Sequence, residues 1–183
     1  MNSQNKYHKF DANICILSGK RGINQVCIDT IMVIELSRIL VGIDGSEESM
    51  RAAEYAVSIS KLYNAELIAI NVLTPDIGYV YSSPGVESPP LTVREIIMLA
   101  EDEARLWFDK IKKKANKKEI QMTTEVIVAK RSVLSTVLEY VVDQKIDLIV
   151  VGTRGRSGIK KMLLGSIASG LVTYAPCPIL VVK

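Results

Sequence analysis

Histidine occurs once in the chain, at His8 in a polar amino-terminal stretch, with no ligand spacing to a cysteine. A histidine-built metal centre therefore lacks a second ligand, and no later carboxylate has a histidine beside it to serve as general base. The three cysteines, Cys15, Cys27 and Cys177, form no Cys-x-x-Cys pair. Their odd number argues against a secreted disulfide framework and for a reducing, cytoplasmic setting. No apolar run approaches the ~20 residues that span a bilayer. The short apolar stretch 12–17 is broken by Ser18-Gly-Lys-Arg-Gly22, which fits neither a signal peptide nor a membrane anchor. An excess of one charge is missing too: 23 basic against 20 acidic residues leave a net +3. That is too mild to argue for a nucleic-acid partner. Also absent are the Walker pattern Gly-x4-Gly-Lys-Ser/Thr, His-x-Gly-His and Ser-Gly-Gly-x-Asp-Ser, so a nucleotidyl transferase or pyrophosphatase has no signature here.

What is present is apolar and periodic. The 183 residues are 48% hydrophobic with a mean hydropathy of +0.21, which suits one domain around a buried parallel sheet. Residues 1–37 read as an amino-terminal extension, not native or poorly ordered, with a strand-like run at Cys27 to Ile34; Met32, shortly before Arg38, is read as the native start. From Arg38 the pattern is regular. Ile39 to Ile43 reads as a buried strand ending at Asp44, and Ser46 as the cap of a helix with Ala52, Ala53, Ala56, Val57, Ile59, Ser60 and Tyr63 on its packing face. Leu67 to Val72 is a second strand, completing a βαβ unit.

Residues 74–90 hold Pro75, Pro84, Pro89 and Pro90 with Gly78 and Gly85, which exclude a helix or a central strand. This stretch is a variable surface connection or a flap carrying Tyr79 or Tyr81 toward a ligand. A helix follows from Thr92 through Lys118, its stripe formed by Ile96, Ile97, Ala100, Ala104, Trp107, Phe108 and Ile111. Its basic end, Lys110 to Lys118, reads as a solvated face that complements the helix dipole. Met122 to Val128 is a third strand, Ser132 caps a helix from Val133 to Lys145, and Asp147 to Val151 is a fourth strand. Ser166 reads as the cap of a helix over Ile167 to Tyr174, and Ile179 to Val182 is the last strand. The sum is a single open five-stranded parallel sheet of order 3-2-1-4-5, with helices on both faces. Its switch point should lie between the strands ending at Asp44 and Val151.

The segment Gly152-Thr-Arg-Gly155-Arg-Ser-Gly-Ile-Lys-Lys-Met-Leu-Leu-Gly165-Ser166 joins the fourth strand to the last helix. Glycines at a strand's carboxyl end let backbone N–H groups approach a ligand, and a helix amino terminus favours an anion. The spacing Gly-x2-Gly-x9-Gly-Ser resembles the nucleotide-binding motif of the universal stress protein family, in its ATP-binding branch. Ile39-Leu-Val-Gly-Ile-Asp44-Gly-Ser46 is similar to that family's first strand and turn, and Ala175-Pro-Cys-Pro-Ile-Leu-Val-Val182 to its closing strand. The resemblance covers residues 38–183, read as the universal stress protein domain, and implies a Rossmann-like, adenine nucleotide α-hydrolase-like fold.

It also implies an adenine-nucleotide site made of Gly42, Asp44, Val72, Gly152, Thr153, Arg154, Gly155, Arg156, Gly165, Ser166 and Ile167. The expected ligand is ATP, with Mg or Mn. Val72 would lie beside the base and Asp44 near the ribose or a phosphate-bound metal, while the bland role of Asp44 is a turn with Gly45. Arg154, Arg156, Lys160 and Lys161 offer positive charge to phosphates; the alternative is surface solubility. Cys177 reads as core packing. Arg131-Ser-Val133 stands where the family commonly has a Gly-x-Pro turn, and Gly170 interrupts the last helix. With no nucleophile and base pair visible, the expected function is a nucleotide-dependent sensor or regulator rather than an enzyme. A homodimer through the edge strand Ile179 to Val182 is expected as well. The alternatives are a nucleotide-independent dimeric module of the same fold and, less favoured, an adenine-nucleotide-using enzyme.

Overall fold

The computed structural model describes residues 35–74, 92–156 and 164–183. The elements run β1 (Arg38–Gly42), α1 (Glu47–Tyr63), β2 (Glu66–Leu73), α2 (Val93–Lys117), β3 (Met122–Val128), α3 (Val133–Asp143), β4 (Leu148–Gly152), α4 (Ser166–Tyr174) and β5 (Ile179–Val182). All four strand pairings are parallel and the order is β3-β2-β1-β4-β5. The expectations for residues 1–34, for the proline-rich stretch 75–91 and for Lys160 and Lys161 lie outside the described residues.

β1 is the centre of the molecule because its side chains are apolar on both faces. Ile39, Leu40 and Val41 are all fully buried. Ile39 and Val41 pack with Ala52, Ala53 and Ala56 of α1 and with Ala104, Phe108 and Ile111 of α2. Leu40 joins Ile68, Ile70 and Ile149 against Val137 and Val141 of α3 and Ala168 and Leu171 of α4. The period of two in the strands and the 3.6-residue stripes in the helices thus meet in two cores, one on each side of the sheet. Asp147 pins the start of the central pair: its Oδ2 accepts from the amides of Ser37 at 2.8 Å and Arg38 at 2.9 Å.

Side-chain caps fix three helix starts. Ser46 Oγ accepts from Ser49 N at 3.1 Å, and Thr92 and Ser132 form reciprocal capping boxes with Glu95 and Ser135. The Ser132 box supplies the turn in place of Gly-x-Pro. Several expected boundaries shift. α3 stops at Asp143 because Lys145 takes a left-handed conformation (φ 52°), with Ile146 N donating to Val141 O and Lys145 N to Val142 O, a Schellman closure that ends the helix. α2 closes the same way at Glu119 (φ 57°). Tyr63, assigned to the packing face of α1, is the last residue of that helix and is exposed. α4 is capped by Gly165 rather than Ser166, which is its first helical residue, and the cap makes no side-chain hydrogen bond.

Candidate functional site

Three chain segments converge beyond the carboxyl ends of β1 and β4: the β1–α1 turn and the two ends of the β4–α4 connection. The first is the turn from β1 into α1. Gly45 has a φ of +82°, and a Cβ there would fall 2.3 Å from the indole of Trp107, so only glycine fits both the backbone and the packing. Asp44 closes this turn: its Oδ1 accepts from Ser46 N at 3.0 Å and Ser46 Oγ at 2.6 Å. The turn role of Asp44 is therefore real, yet only one carboxylate oxygen is used for it. The other, Oδ2, reaches across to accept from Arg156 N at 3.0 Å. A Cβ on Gly155 would stand 2.6 Å from that oxygen.

The second segment leaves β4. Gly152 packs onto the first turn of α1, where an added Cβ would lie 2.8 Å from the Glu48 carbonyl carbon. Thr153 N then donates to Val182 O of β5 at 2.8 Å, tying the loop to the neighbouring strand. The third segment is the far end of that same connection, where it enters α4. Gly165 N donates to Thr153 O at 2.7 Å, so the start of α4 is stapled against the start of the loop. Of the four helices among the described residues, α4 alone begins without a side-chain cap. Its first-turn N–H groups carry the positive end of the helix dipole.

Between these segments opens a crevice with about 850 Å³ of empty space, its open mouth included. Gly42, Asp44, Val72, Gly152, Thr153, Arg154, Gly155, Gly165, Ser166 and Ile167 all line it. Arg156 does not. Its guanidinium turns to α2, where it pairs with Glu103 and lies 5.4 Å from the centroid of the Trp107 ring. The inner wall is apolar: Leu40, Ile70, Val72, Val133, Val137, Ile149 and Leu171. Val133 and Val137, four apart on α3, are site residues that the sequence reading placed within a helix and assigned no further role.

Asn71 is another. It is 5% exposed, lines the crevice, and donates from Nδ2 to Ile43 O at 2.6 Å, while its Oδ1 has no partner among the described residues. The amide group in an otherwise apolar strand was the signal available. Thr153 Oγ1 and Arg154 Nε are likewise buried without a partner among the described residues. Unpaired buried polar atoms cost about 1 to 3 kcal/mol each, so this wall is chemically incomplete: Thr153 Oγ1 and Arg154 Nε can donate to a ligand, and Asn71 Oδ1 can accept from one. Asp44 is the one carboxylate residue on the wall among the described residues. A divalent ion would therefore rely on phosphate oxygens and water more than on protein ligands.

Outside the crevice, the basic end of α2 is exposed, with Lys114 paired to Glu54 and Lys118 Nζ donating to Ser58 Oγ at 3.1 Å. Cys177 packs partly buried against the second core. Burial, then the nearby Asp147 charge, pushes its thiol upward, away from the thiolate that redox chemistry needs.

Residues 35–183 match the family model described as the universal stress protein family. The chain belongs to the universal stress protein family. A universal stress protein of Methanocaldococcus jannaschii is 35% identical over 147 residues, covering 80% of this chain and 81% of that protein. The universal stress protein YxiE of Bacillus subtilis is 33% identical, covering 80% and 99%. The solved structure of universal stress protein UspA from Lactobacillus plantarum is similar with a TM-score of 0.64 at 25% identity, covering 81% of this chain and 99% of that one. Three further structures of universal stress proteins, 14% to 23% identical with TM-scores from 0.52 to 0.56, are complexes: one with cAMP, one from Archaeoglobus fulgidus with dAMP, and one from Arabidopsis thaliana with AMP bound. They cover 80% to 82% of this chain and 91% to 100% of their own. No helix among the described residues is long and apolar enough to cross a membrane.

Proposed function

We propose that the protein is an ATP-binding universal stress protein, a cytoplasmic nucleotide-dependent sensor or regulator whose output is a change of state passed to a partner. One observation carries this reading: the uncapped amino terminus of α4 and the 152–156 loop meet at the mouth of a crevice whose inner wall is apolar. Phosphates suit the mouth, because N–H groups and the helix dipole converge there. A flat apolar base suits the interior between Val72 of β2 and Val133 and Val137 of α3. Complexes of other family members with cAMP, dAMP and AMP support an adenine nucleotide as the class. A Mg or Mn ion would travel with the phosphates, with Asp44 as the protein carboxylate within the site. A nucleophile and base pair is not part of this reading, so binding rather than turnover is the proposed activity. Calorimetry with ATP and AMP on protein stripped of nucleotide tests it, and absence of binding at millimolar ligand would falsify it.

A homodimer belongs to the same proposal. β5 is an edge of the sheet, and Val172 and Tyr174 on the preceding helix are 56% and 67% exposed. An apolar edge of this kind favours pairing with a second copy. The same edge supports the other reading, a dimeric module that works without nucleotide. Light scattering at micromolar protein separates monomer from dimer, and the calorimetry separates the two dimeric readings.

A further inference from the structure

One cation of the 152–156 loop, Arg156, is held outside the crevice, while Arg154 lines it. Arg156 Nη1 and Nη2 donate to Glu103 Oε2 and Oε1 at 3.3 and 3.2 Å, a two-pronged pair with α2. The same guanidinium lies over the ring of Trp107, 5.4 Å from its centroid. Trp107 is in turn wedged against Gly45 of the turn that holds Asp44, and Asp44 Oδ2 accepts the backbone amide of Arg156. One residue of α2 therefore touches both loops that border the site, and one carboxylate of α2 holds the Arg156 guanidinium. Neither Glu103 nor Trp107 lines the crevice.

The pair is built to yield. Both side chains are substantially exposed, 61% and 46%, and solvent-exposed ion pairs contribute little. A doubly or triply charged phosphate tail offers a guanidinium stronger, charge-assisted partners. A monophosphate already finds its partners at the amino terminus of α4 and the loop amides. Building on the nucleotide-binding reading above, we propose that Glu103 and Trp107 form a latch that withholds Arg156 until a ligand brings phosphates beyond the first. Glu103 is then a positioning residue that sets the preference between nucleoside tri- and monophosphates. Trp107 is the contact through which α2 registers the difference. Arg156 leaves Glu103 for the phosphates, and the indole loses the cation from its face.

The chain has a single tryptophan, so its emission reports this latch directly. Full-length, nucleotide-stripped protein is titrated with Mg-ATP and with AMP, following fluorescence and calorimetry together. Mg-ATP is expected to shift Trp107 emission, and AMP at saturation to leave most of it unmoved. Glu103→Gln, an exposed and isosteric change, is expected to raise the ATP-to-AMP affinity ratio by about three- to fivefold, the fold equivalent of an exposed ion pair near the upper end of its range. Its AMP affinity should stay within twofold. Arg156→Gln should abolish the emission response to Mg-ATP. Equal emission changes with both nucleotides, or a Glu103→Gln ratio within twofold of the parent protein, would overturn the latch while leaving nucleotide binding in place. No calorimetric binding of either nucleotide would overturn both.

Discussion

Adding one methyl group at Gly152 tests whether the site rests on direct contact between β4 and α1. An alanine Cβ there would sit 2.8 Å from both the carbonyl carbon and the Cβ of Glu48, and 3.0 Å from its carbonyl oxygen. Comfortable carbon contacts are about 3.5 to 4.0 Å, so the first turn of α1 would have to retreat by roughly 1 Å. It has little room to do so, because Ala52, Ala53 and Ala56 anchor the helix at 0%, 1% and 0% exposure. Overpacking of this kind costs about 1 to 3 kcal/mol, while replacing a strand glycine returns about 0.5 to 1 kcal/mol. Gly152→Ala should therefore destabilise the fold by about 1 to 2 kcal/mol, lowering the melting temperature by about 2 to 8 °C for a domain of this size. Urea denaturation followed by circular dichroism should show a lower midpoint with an unchanged slope. Gly42→Ala is the matched control, since the nearest atom to its Cβ is Val151 Cγ1 at 4.0 Å. Equal midpoints for Gly152→Ala and the parent protein, or equal losses in the two variants, would refute the contact argument.

Gly42→Ala should leave stability equal to the parent's or up to about 1 kcal/mol higher yet place a methyl in the crevice, weakening ATP binding by about fivefold or more, the low end of an overpacking cost. Calorimetry on the folded variant decides it, and unchanged affinity would remove Gly42 from the site. Lys145→Gly should stabilise the protein by about 0.5 to 1 kcal/mol, because the left-handed conformation costs a side-chain-bearing residue about 1 to 2 kcal/mol and glycine's own entropy takes back part of that gain; a lower urea midpoint would contradict it. The carboxylate of Glu95 accepts from Thr92 N at 2.7 Å and Thr92 Oγ1 at 2.8 Å. The backbone bond first and the hydroxyl second hold its pKa below the ordinary 4.5. Its contribution is thus present above that value and lost as pH falls through the lower folded value. Amide exchange in the first turn of α2, corrected for intrinsic rates, should accelerate as the pH is lowered well below 4.5; protection that stays flat across that acid range would count against the capping box.

The strand order and most of the crevice were legible because they depend on local composition. Strands such as Ile39 to Val41, apolar on both faces, specify a central parallel position, and glycines after them specify open backbone. Ten of the eleven site residues that the family resemblance implies line one crevice. Arg156 was not legible in the same way. Which cation of a loop faces a ligand depends on the carboxylate nearby, and Glu103 lies 53 residues away in sequence. The start of α4 was misplaced by one residue because glycine and serine are both acceptable caps. The end of α3 was overrun because Lys145, unlike glycine, gives no compositional sign of a left-handed turn. Val133 and Val137 look like any pair on a buried helix face until β2 is set beside them.

Gly165 N and Thr153 O, hydrogen-bonded at 2.7 Å, make the chain between them a detour that starts and finishes at nearly the same point. Lengthening such an excursion changes its closure entropy slowly, by about 0.6 kcal/mol per doubling. The two ends of the loop are thereby fixed to each other, and through Thr153 N and Val182 O to the sheet, so that a change in the number or charge of the residues between these anchors would alter what the mouth of the crevice meets while the strands behind it stay in place.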